Sequence, residues 1–392
     1  MKTVGMITIY RKNYGAFLQA YALQQTLKKI GCAPEIIRYD YYKDRTIFGV
    51  SLASKPSFAT VLKAAAVEVI RYLPHRQRQR IFDESIKKNL IESKEYFKTY
   101  KDLEKNPPRY DIYLTGSDQV FNGSISPQAL PARLLSFVKE GVKASYAASA
   151  GAVDFQSTFQ EIILKNLKTF KKVSIREEGL AKTLQTKYGI EALSNIDPVF
   201  LLNNSEWVSF SKKLDCLKGN YILFYQVLPQ PELAEIADKL SKKMNIPIFV
   251  ADGHKRFDNQ IEFNGILSPE QWVYAMENAS FVATNSFHGI AFSINLGKKA
   301  FVLIPPKGGD RVLNLLNKCQ LHIGEGSQLV SDSSDNRYEG SQPVSDSSDN
   351  RYEGSQPVSD SSDNRYIKAQ EYIISERDRG ISYLQNLFEL EM

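Results

Sequence analysis

The stretch Phe281-Val-Ala-Thr-Asn-Ser-Phe-His288-Gly-Ile-Ala-Phe-Ser-Ile-Asn-Leu-Gly297 decides how the chain is read. Phe281 to Ala283 is apolar, as a buried parallel strand is. Thr284 to Gly289 is small and polar apart from Phe287, and Ile290 to Leu296 is apolar again at helical spacing. Lys299 to Ile304 supplies the next strand. Strand, tight turn, helix and strand in that order build an open α/β sheet, in which ligands bind beyond the carboxyl ends of the strands. Ser286, His288 and Gly289 fall on the turn. The helix it opens offers unpaired N–H groups and a positive dipole end to an anion. His288 is one of only 4 histidines. A histidine is more often a satisfied core or surface residue than a catalyst, and its place on this turn beside serines makes it the candidate for proton transfer.

The same alternation runs outward from there. Val4 to Tyr10 reads as a strand and Tyr14 to Ile30 as a helix stopped by Gly31, with apolar Phe17, Tyr21, Leu23 and Leu27. Glu35 to Tyr39 is the following strand, and this βαβ opening predicts a right-handed crossover and a parallel sheet. No GxGxxG is present, so the dinucleotide fingerprint is absent. Tyr41 to Lys105 is tyrosine-rich and charged, and predicts helix. Its run His75-Arg-Gln-Arg-Gln-Arg80 reads chiefly as a solvated helix face or a lip near a polyanionic acceptor, with direct contact to phosphates as the alternative.

Tyr110 to Leu114 predicts a strand that ends in Thr115-Gly116-Ser117-Asp118-Gln119-Val120-Phe121-Asn122. Gly116 and Ser117 let backbone approach a ligand closely, and Asp118 either holds a hydroxyl or caps a helix. Lys143 to Ala148 and Lys172 to Ile175 are two more strands, with helix Phe155 to Phe170 between them. Arg176 follows on a second strand-to-helix turn, before a helix that ends at Gly189. A guanidinium there suits a phosphate or carboxylate, and the plainer alternative is a surface ion pair with a nearby glutamate.

Asp197-Pro and the polar stretch after it read as the exit from a first domain, residues 1–203. Strand Tyr221 to Tyr225, helix Pro231 to Met244, strand Ile246 to Val250, a helix led by Ser268-Pro-Glu, the opening stretch and helix Arg311 to Asn317 give a second domain, 204–324. Residues 325–366 are three tandem 14-residue units, Glu-Gly-Ser-Gln-(Leu/Pro)-Val-Ser-Asp-Ser-Ser-Asp-Asn-Arg-Tyr. They are too poor in apolar residues to bury a core and read as a duplicated surface loop. Residues 367–392 hold an amphipathic helix, about Ala369 to Leu390, long enough to reach back across both domains.

Composition narrows the function classes. An apolar content of 43% and a charged content of 24% are those of an ordinary soluble protein. The net charge of +6 suits an anionic substrate or membrane surface, and no concentrated basic stripe points to nucleic acid. The 3 cysteines, Cys32, Cys216 and Cys319, have no metal or redox spacing and read as reduced thiols. The chain shows neither a cleavable signal pattern nor an apolar run of membrane length, so a cytoplasmic protein is expected. No metal-ligand cluster is visible, and neither a metal nor a resident cofactor is expected.

Six pieces then carry a resemblance: Asn13-Tyr-Gly-Ala-Phe-Leu-Gln-Ala-Tyr-Ala-Leu, Gly116-Ser-Asp-Gln-Val-Phe-Asn122, Ser145-Tyr-Ala-Ala-Ser149, Val173-Ser-Ile-Arg-Glu177, Asp197-Pro and Ser286-Phe-His-Gly289. Each alone is weak, but six in order at plausible intervals are not. The chain resembles the polysaccharide pyruvyl transferase family. The resemblance implies an α/β fold of two Rossmann-like domains facing a cleft, as in GT-B glycosyltransferases. It also implies an enzyme that moves pyruvate from phosphoenolpyruvate to two hydroxyls of one sugar, forming a cyclic ketal in surface polysaccharide biosynthesis.

By that resemblance, Arg176 and His288 hold the donor's phosphate and carboxylate or take part in proton transfer, and Asn13 and Asp118 line the same cleft. His288 and Asp118 are therefore the catalytic candidates. Asn13, Gly116, Ser117, Arg176, Ser286, Gly289, Lys307 and Arg311 are the substrate-binding ones. Some positions depart from the family pattern: Ser286-Phe287 stands where one branch has Arg-Leu, and Asn285 and Phe121 stand where Asp and Trp are common. Lys307 or Arg311 is expected to supply the missing charge. The implied partners are phosphoenolpyruvate and a glycan or lipid-linked acceptor. With a lipid-linked acceptor, Arg76 to Arg80 would bring the enzyme to the inner membrane face. The rival readings are a GT-B-like glycosyltransferase, for which Glu270 and Glu277 are the candidates to read a ribose, and a non-catalytic phosphometabolite- or glycan-binding protein.

Overall fold

Apolar strands and capped helices alternate along the chain in a computed structural model. It describes residues 1–11, 13–39, 46–47, 50–51, 76–152, 154–252, 255–305, 309–321, 323–324, 328–329 and 364–389. The chain divides into two units, Met1–Leu201 with Asp378–Met392, and Leu202–Arg377.

The first unit opens with β1 (Thr3–Ile7), α1 (Tyr14–Lys29) and β2 (Ala33–Tyr39), followed by the short antiparallel pair β3 (Thr46–Ile47) and β4 (Val50–Ser51). The helix of residues 76–89 (α2), β5 (Glu92–Phe97), α3 (Tyr100–Lys105), β6 (Ile112–Thr115), α4 (Leu130–Arg133) and β7 (Val142–Ser145) come next. Then follow α5 (Ser157–Leu167), β8 (Val173–Ile175), α6 (Glu178–Tyr188) and β9 (Ala192–Ser194). The sheet runs β5-β2-β1-β6-β7, parallel throughout. Single bridges, Ala144 to Lys172 and Ala148 to Ile175, carry it on to the parallel pair β8-β9. Strand order reverses between β1 and β6, so Thr8, Gly116 and Ser117 lie at the crevice where ligands of such sheets bind.

α1 forms because Asn13 caps it, Lys28 and Lys29 suit its negative end, and its sequence holds no β-branched residue before Thr26. Nearly all of it is buried. Sequence reading expected helix throughout 41–105, and β5 corrects that. Glu92–Phe97 buries only Ser93 and Phe97 and turns Lys94, Glu95 and Tyr96 outward, the pattern of a charged edge strand. Tertiary contacts hold it there. The Gln24 amide donates to the Ile91 carbonyl at 2.8 Å and accepts from its N–H at 2.9 Å, and Arg38 N–H donates to Ser93 Oγ at 2.9 Å. The arginine run behaves as a solvated face where it is described. Arg78 stacks on Tyr14 and Phe82 at 4.9 and 5.2 Å, and exposed Arg80 pairs with Glu84 at 3.0 Å. His75 lies outside the described residues.

The second unit contains α7 (Asn204–Phe210), β10 (Ile222–Tyr225), α8 (Pro231–Met244), β11 (Ile248–Asp252), α9 (Pro269–Asn278) and β12 (Phe281–Thr284). It continues with α10 (Phe287–Asn295), β13 (Lys299–Val302), α11 (Gly309–Lys318), β14 (Ile323–Gly324) and β15 (Gln328–Leu329). The final helix is α12 (Asn364–Asn386). Its sheet runs β11-β10-β12-β13-β15-β14, parallel through β13 and antiparallel beyond. The reversal lies between β10 and β12, which sets the turn after Thr284 at the second crevice. Beneath it Phe292 packs edge-on to Trp207 and Trp272 at 4.8 and 5.2 Å, fixing α10 against the core.

The residues of α12 are shared between the units: Ala369 and Ile373 are buried in the second, Tyr383, Leu384 and Leu387 in the first. Tyr383 Oη donates to the Ser145 carbonyl at 2.9 Å, at the end of β7. Most of the tandem repeat lies outside the described residues, except Gln328–Leu329 in β15 and Asn364–Tyr366 at the start of α12. All three cysteines are free, Cys32 and Cys319 being buried. Among the described residues no helix is long and apolar enough to cross a membrane.

Candidate functional site

In the first unit, the polar groups gather at the carboxyl ends of β6 and β8. Arg176 follows β8 directly and is buried, at 7% exposure. Its Nη1 donates to Asp197 Oδ2 at 2.6 Å, and Ser117 Oγ donates to the same oxygen at 3.2 Å. Asp197 Oδ1 accepts from Val199 N–H at 3.1 Å, which caps the 3-10 turn Pro198–Phe200 and holds the carboxylate in place. The sequence alternative of a surface pair between Arg176 and a glutamate is thus corrected to a buried pair with Asp197. Burial pulls the arginine pKa down, and Asp197, Glu177 and Asp118 more than offset it, so the guanidinium is held above its ordinary value.

Glu177 stands at the N-cap of α6 yet does not cap it. Its side chain turns to the loop after β7, where Oε1 accepts a short hydrogen bond from Ser149 Oγ and one from Gly151 N–H at 3.2 Å. Asp118 corrects the alternative that it caps a helix. No helix starts there; its backbone is left-handed at φ 68°, and Oδ1 accepts from Gln119 N–H at 2.8 Å. Gly116 is closely packed by the protein: a Cβ there would sit 3.0 Å from Thr8 Cβ and 3.3 Å from Leu23 Cδ2. Asn13 is exposed and caps α1, accepting from Ala16 N–H at 3.3 Å. Three of the sequence candidates therefore share one polar group: Ser117 and Arg176 both bind Asp197, and Asp118 is in electrostatic reach of Arg176.

Sequence reading expected the helix to begin at Ile290, and in the second unit it begins three residues earlier. Ser286 is the N-cap of α10 and accepts from Gly289 N–H at 3.3 Å, so His288 sits inside the first turn rather than before it. No acidic residue occupies that turn. The buried His288 ring lies edge-on to Phe287, 5.3 Å between centroids. Arg311, in the first turns of α11, has its guanidinium 5.9 Å from the Phe287 ring. Gly289 is glycine because a Cβ would come within 3.1 Å of Thr284 Cβ and nearer still to Oγ1, which donates to the Tyr225 carbonyl at 2.7 Å. Asn285 binds the loop after β10: its Nδ2 donates to Leu228 O and Gln230 Oε1, both at 2.6 Å, and Oδ1 accepts from Val227 N–H at 3.0 Å. Lys307 lies outside the described residues.

Sequence reasoning passed over Asp197 and Glu177 as site residues. Asp197 was legible as a domain exit and as one of the six motif pieces but not as the partner of Arg176, which is 21 residues away. Glu177 had a signal, an acid directly after the arginine of a strand-to-helix turn, that reads equally well as an ordinary N-terminal helix acid. Among the described residues no group of His, Cys, Asp and Glu is arranged to hold a metal ion.

Comparison with known proteins adds one decisive finding. The family model described as polysaccharide pyruvyl transferase matches residues 13–305, well over half of the chain. No curated protein matches. Solved structures that match include a UDP-GlcNAc 2-epimerase from Neisseria meningitidis bound to UDP-GlcNAc, with TM-score 0.48 and 10% identity over 80% of this chain and 86% of that one. The UDP-GlcNAc 2-epimerase from Methanocaldococcus jannaschii gives TM-score 0.45 and 10% identity over 80% and 87%. Arabidopsis thaliana UGT89C1 gives 0.48 and 11% over 98% and 99%. Likenesses this distant leave the chemistry to the chain's own residues.

Proposed function

We propose, from the premise that the chain belongs to the polysaccharide pyruvyl transferase family, that it moves pyruvate from phosphoenolpyruvate onto two hydroxyls of one sugar. The product is a cyclic ketal, made during assembly of a surface polysaccharide. The reaction needs a proton at the donor's methylene carbon, which leaves cationic character at the central carbon. One sugar hydroxyl adds there, phosphate departs, and the second hydroxyl closes the ring.

The observation that carries this reading is the first turn of α10. It is capped by a serine, free of acidic residues, and contains His288. A helix N-terminus of that kind favours a phosphate, and Arg311 brings a cation to the neighbouring ring. His288 is the proton donor to the methylene carbon; such a role accounts for about 100-fold to 10,000-fold of rate. Arg176, kept charged by its carboxylates, meets the donor's carboxylate, and Asp118 holds a sugar hydroxyl. The chemistry calls for neither metal nor cofactor.

Calorimetric titration with phosphoenolpyruvate, with UDP-N-acetylglucosamine run beside it, tests the donor. Saturable binding of phosphoenolpyruvate alone is expected, retained within about threefold in His288→Ala while phosphate release falls by at least about 100-fold. Binding of the nucleotide sugar alone would move the reading to glycosyl transfer. In that case Glu270, buried in the first turn of α9, and Glu277, which accepts from Ser211 Oγ at 3.3 Å, are the residues to test next. Binding of neither would mark a site without this chemistry.

A further inference from the structure

Three tandem copies of a 14-residue sequence occupy residues 325–338, 339–352 and 353–366. The second and third are identical, and the first differs from them at one position, Leu329 where they have Pro343 and Pro357. Among the described residues only the two extremes of this stretch meet the fold. Gln328–Leu329, in the first copy, form β15, and residues 364–366, the last of the third copy, open α12.

Each extreme is specific to its copy. β15 lies between β13 and β14 in the sheet, with Gln328 opposite Phe301 on one side and with Gln328 and Leu329 opposite Gly324 and Ile323 on the other. A strand with neighbours on both sides excludes proline, which has no N–H for the ladder. Pro343 and Pro357 therefore bar the second and third copies from the place of β15. At the other extreme, the first two copies run on into Glu339-Gly340 and Glu353-Gly354, and glycine disfavours helix. The third runs on into Ile367-Lys-Ala369, and α12 buries Ala369 and Ile373.

Both anchors rest on the α10–β13 segment. Gln328 is in register with Phe301 of β13, and Gln370, in the second turn of α12, donates from Nε2 to the Ile294 carbonyl near the end of α10. Leu329 is the fifth residue of its copy and Asn364 the twelfth of its own, so within one copy these positions are seven peptide links apart. Seven links span up to about 25 Å. One copy has the residues and the length for both anchors.

We infer that the three copies act as a single connector: the first places β15 beside β13, the third opens α12, and the 28 residues 330–357 add length alone. β15 covers the edge of β13, whose backbone groups would otherwise stand open to pairing with another chain. The number of copies is free to vary, because the cost of closing a loop grows only as the logarithm of its length.

Two shortened chains test this. Removal of residues 330–357 joins 325–329 to 358–366 and leaves one copy with leucine, whereas removal of 325–352 leaves one copy with Pro357 at the β15 position. The two have the same length and differ at that residue alone. Thermal melting and amide hydrogen exchange are read on each beside the full chain. The leucine form is expected to melt within about 4 °C of the full chain or above it, and to keep exchange at Lys299–Val302 within about threefold. The proline form is expected to melt at least about 4 °C below the leucine form and to exchange the β13 amides at least about tenfold faster. Leu329→Pro in the full chain, which makes all three copies alike, should reproduce that acceleration and serves if the proline form does not fold. A leucine form that does not fold, or melts more than about 4 °C below the full chain, overturns the inference, since residues 330–357 then do more than add length. Equal β13 exchange in the leucine and proline forms overturns the assignment of β15 to the first copy.

Discussion

Two strand-to-helix turns, Ile175 to Glu178 in the first unit and Thr284 to Gly289 in the second, look alike in sequence and differ in charge. The first carries one guanidinium among Asp197, Glu177 and Asp118, and the helix it opens has Glu178 in its first turn besides. The second carries no acid in its first turn; it has a serine cap, a histidine and an arginine within reach of the neighbouring ring. One turn is already supplied with negative charge and is held rigid by it. The other leaves its helix dipole uncompensated by any acid of its own first turn. The two turns share a local geometry and differ in charge: carboxylates surround the arginine of the first, and the second has no acid in its first turn.

That contrast is broken most directly at Asp197. Asp197→Ala leaves Arg176 buried without its carboxylate and is expected to destabilise the protein by about 3–5 kcal/mol, read from the chemical-denaturation midpoint. Replacing both partners by apolar residues, Arg176→Met with Asp197→Leu, should restore most of that loss, because the pair's own desolvation largely cancels its attraction. A loss below about 1 kcal/mol in Asp197→Ala would mean the first turn is no more self-neutralised than the second.

Gly289→Ala probes the packing under the second turn. The added methyl runs into Thr284, whose hydroxyl is committed to Tyr225, and a loss of about 1–3 kcal/mol in thermal stability is expected. Thr284→Ala in the same chain should recover part of it, so the two changes should be non-additive in a double-mutant cycle. Arg311→Gln is the mildest of the three. With a cation removed from the open turn, phosphoenolpyruvate affinity should fall by less than about tenfold, and the difference should shrink as salt is raised. An unchanged affinity would place the anion seat away from Arg311.

How much of this was legible beforehand follows from the range of the interactions. The alternation of apolar runs and capped helices is local, and it gave the parallel strands on both sides of each turn, helix Pro231–Met244 as it stands, and the Ser268 cap. β5 was lost because charged Glu92, Lys94 and Glu95 read as a helix face. Long-range partners, the Gln24 amide 67 residues from Ile91 and the Arg38 N–H that bonds Ser93, show why that segment is extended. The sequence offers close approach to a ligand as the reason for Gly116 and marks Gly289 as a substrate-binding candidate. In the structure each is pressed against a threonine of its own unit.

By itself the sequence determined what depends on spacing: the α/β class, the two strand-to-helix turns, the order of the six motif pieces, and hence the family. Tertiary structure decided what depends on long-range pairing. Asp197 is what makes Arg176 a buried and permanently charged residue. Ser149, 28 residues before Glu177, is what draws that carboxylate away from its own helix. Hydrogen bonds and ion pairs act within about 3 Å of space irrespective of separation along the chain, and no periodicity in the sequence records which residues the fold will bring that close.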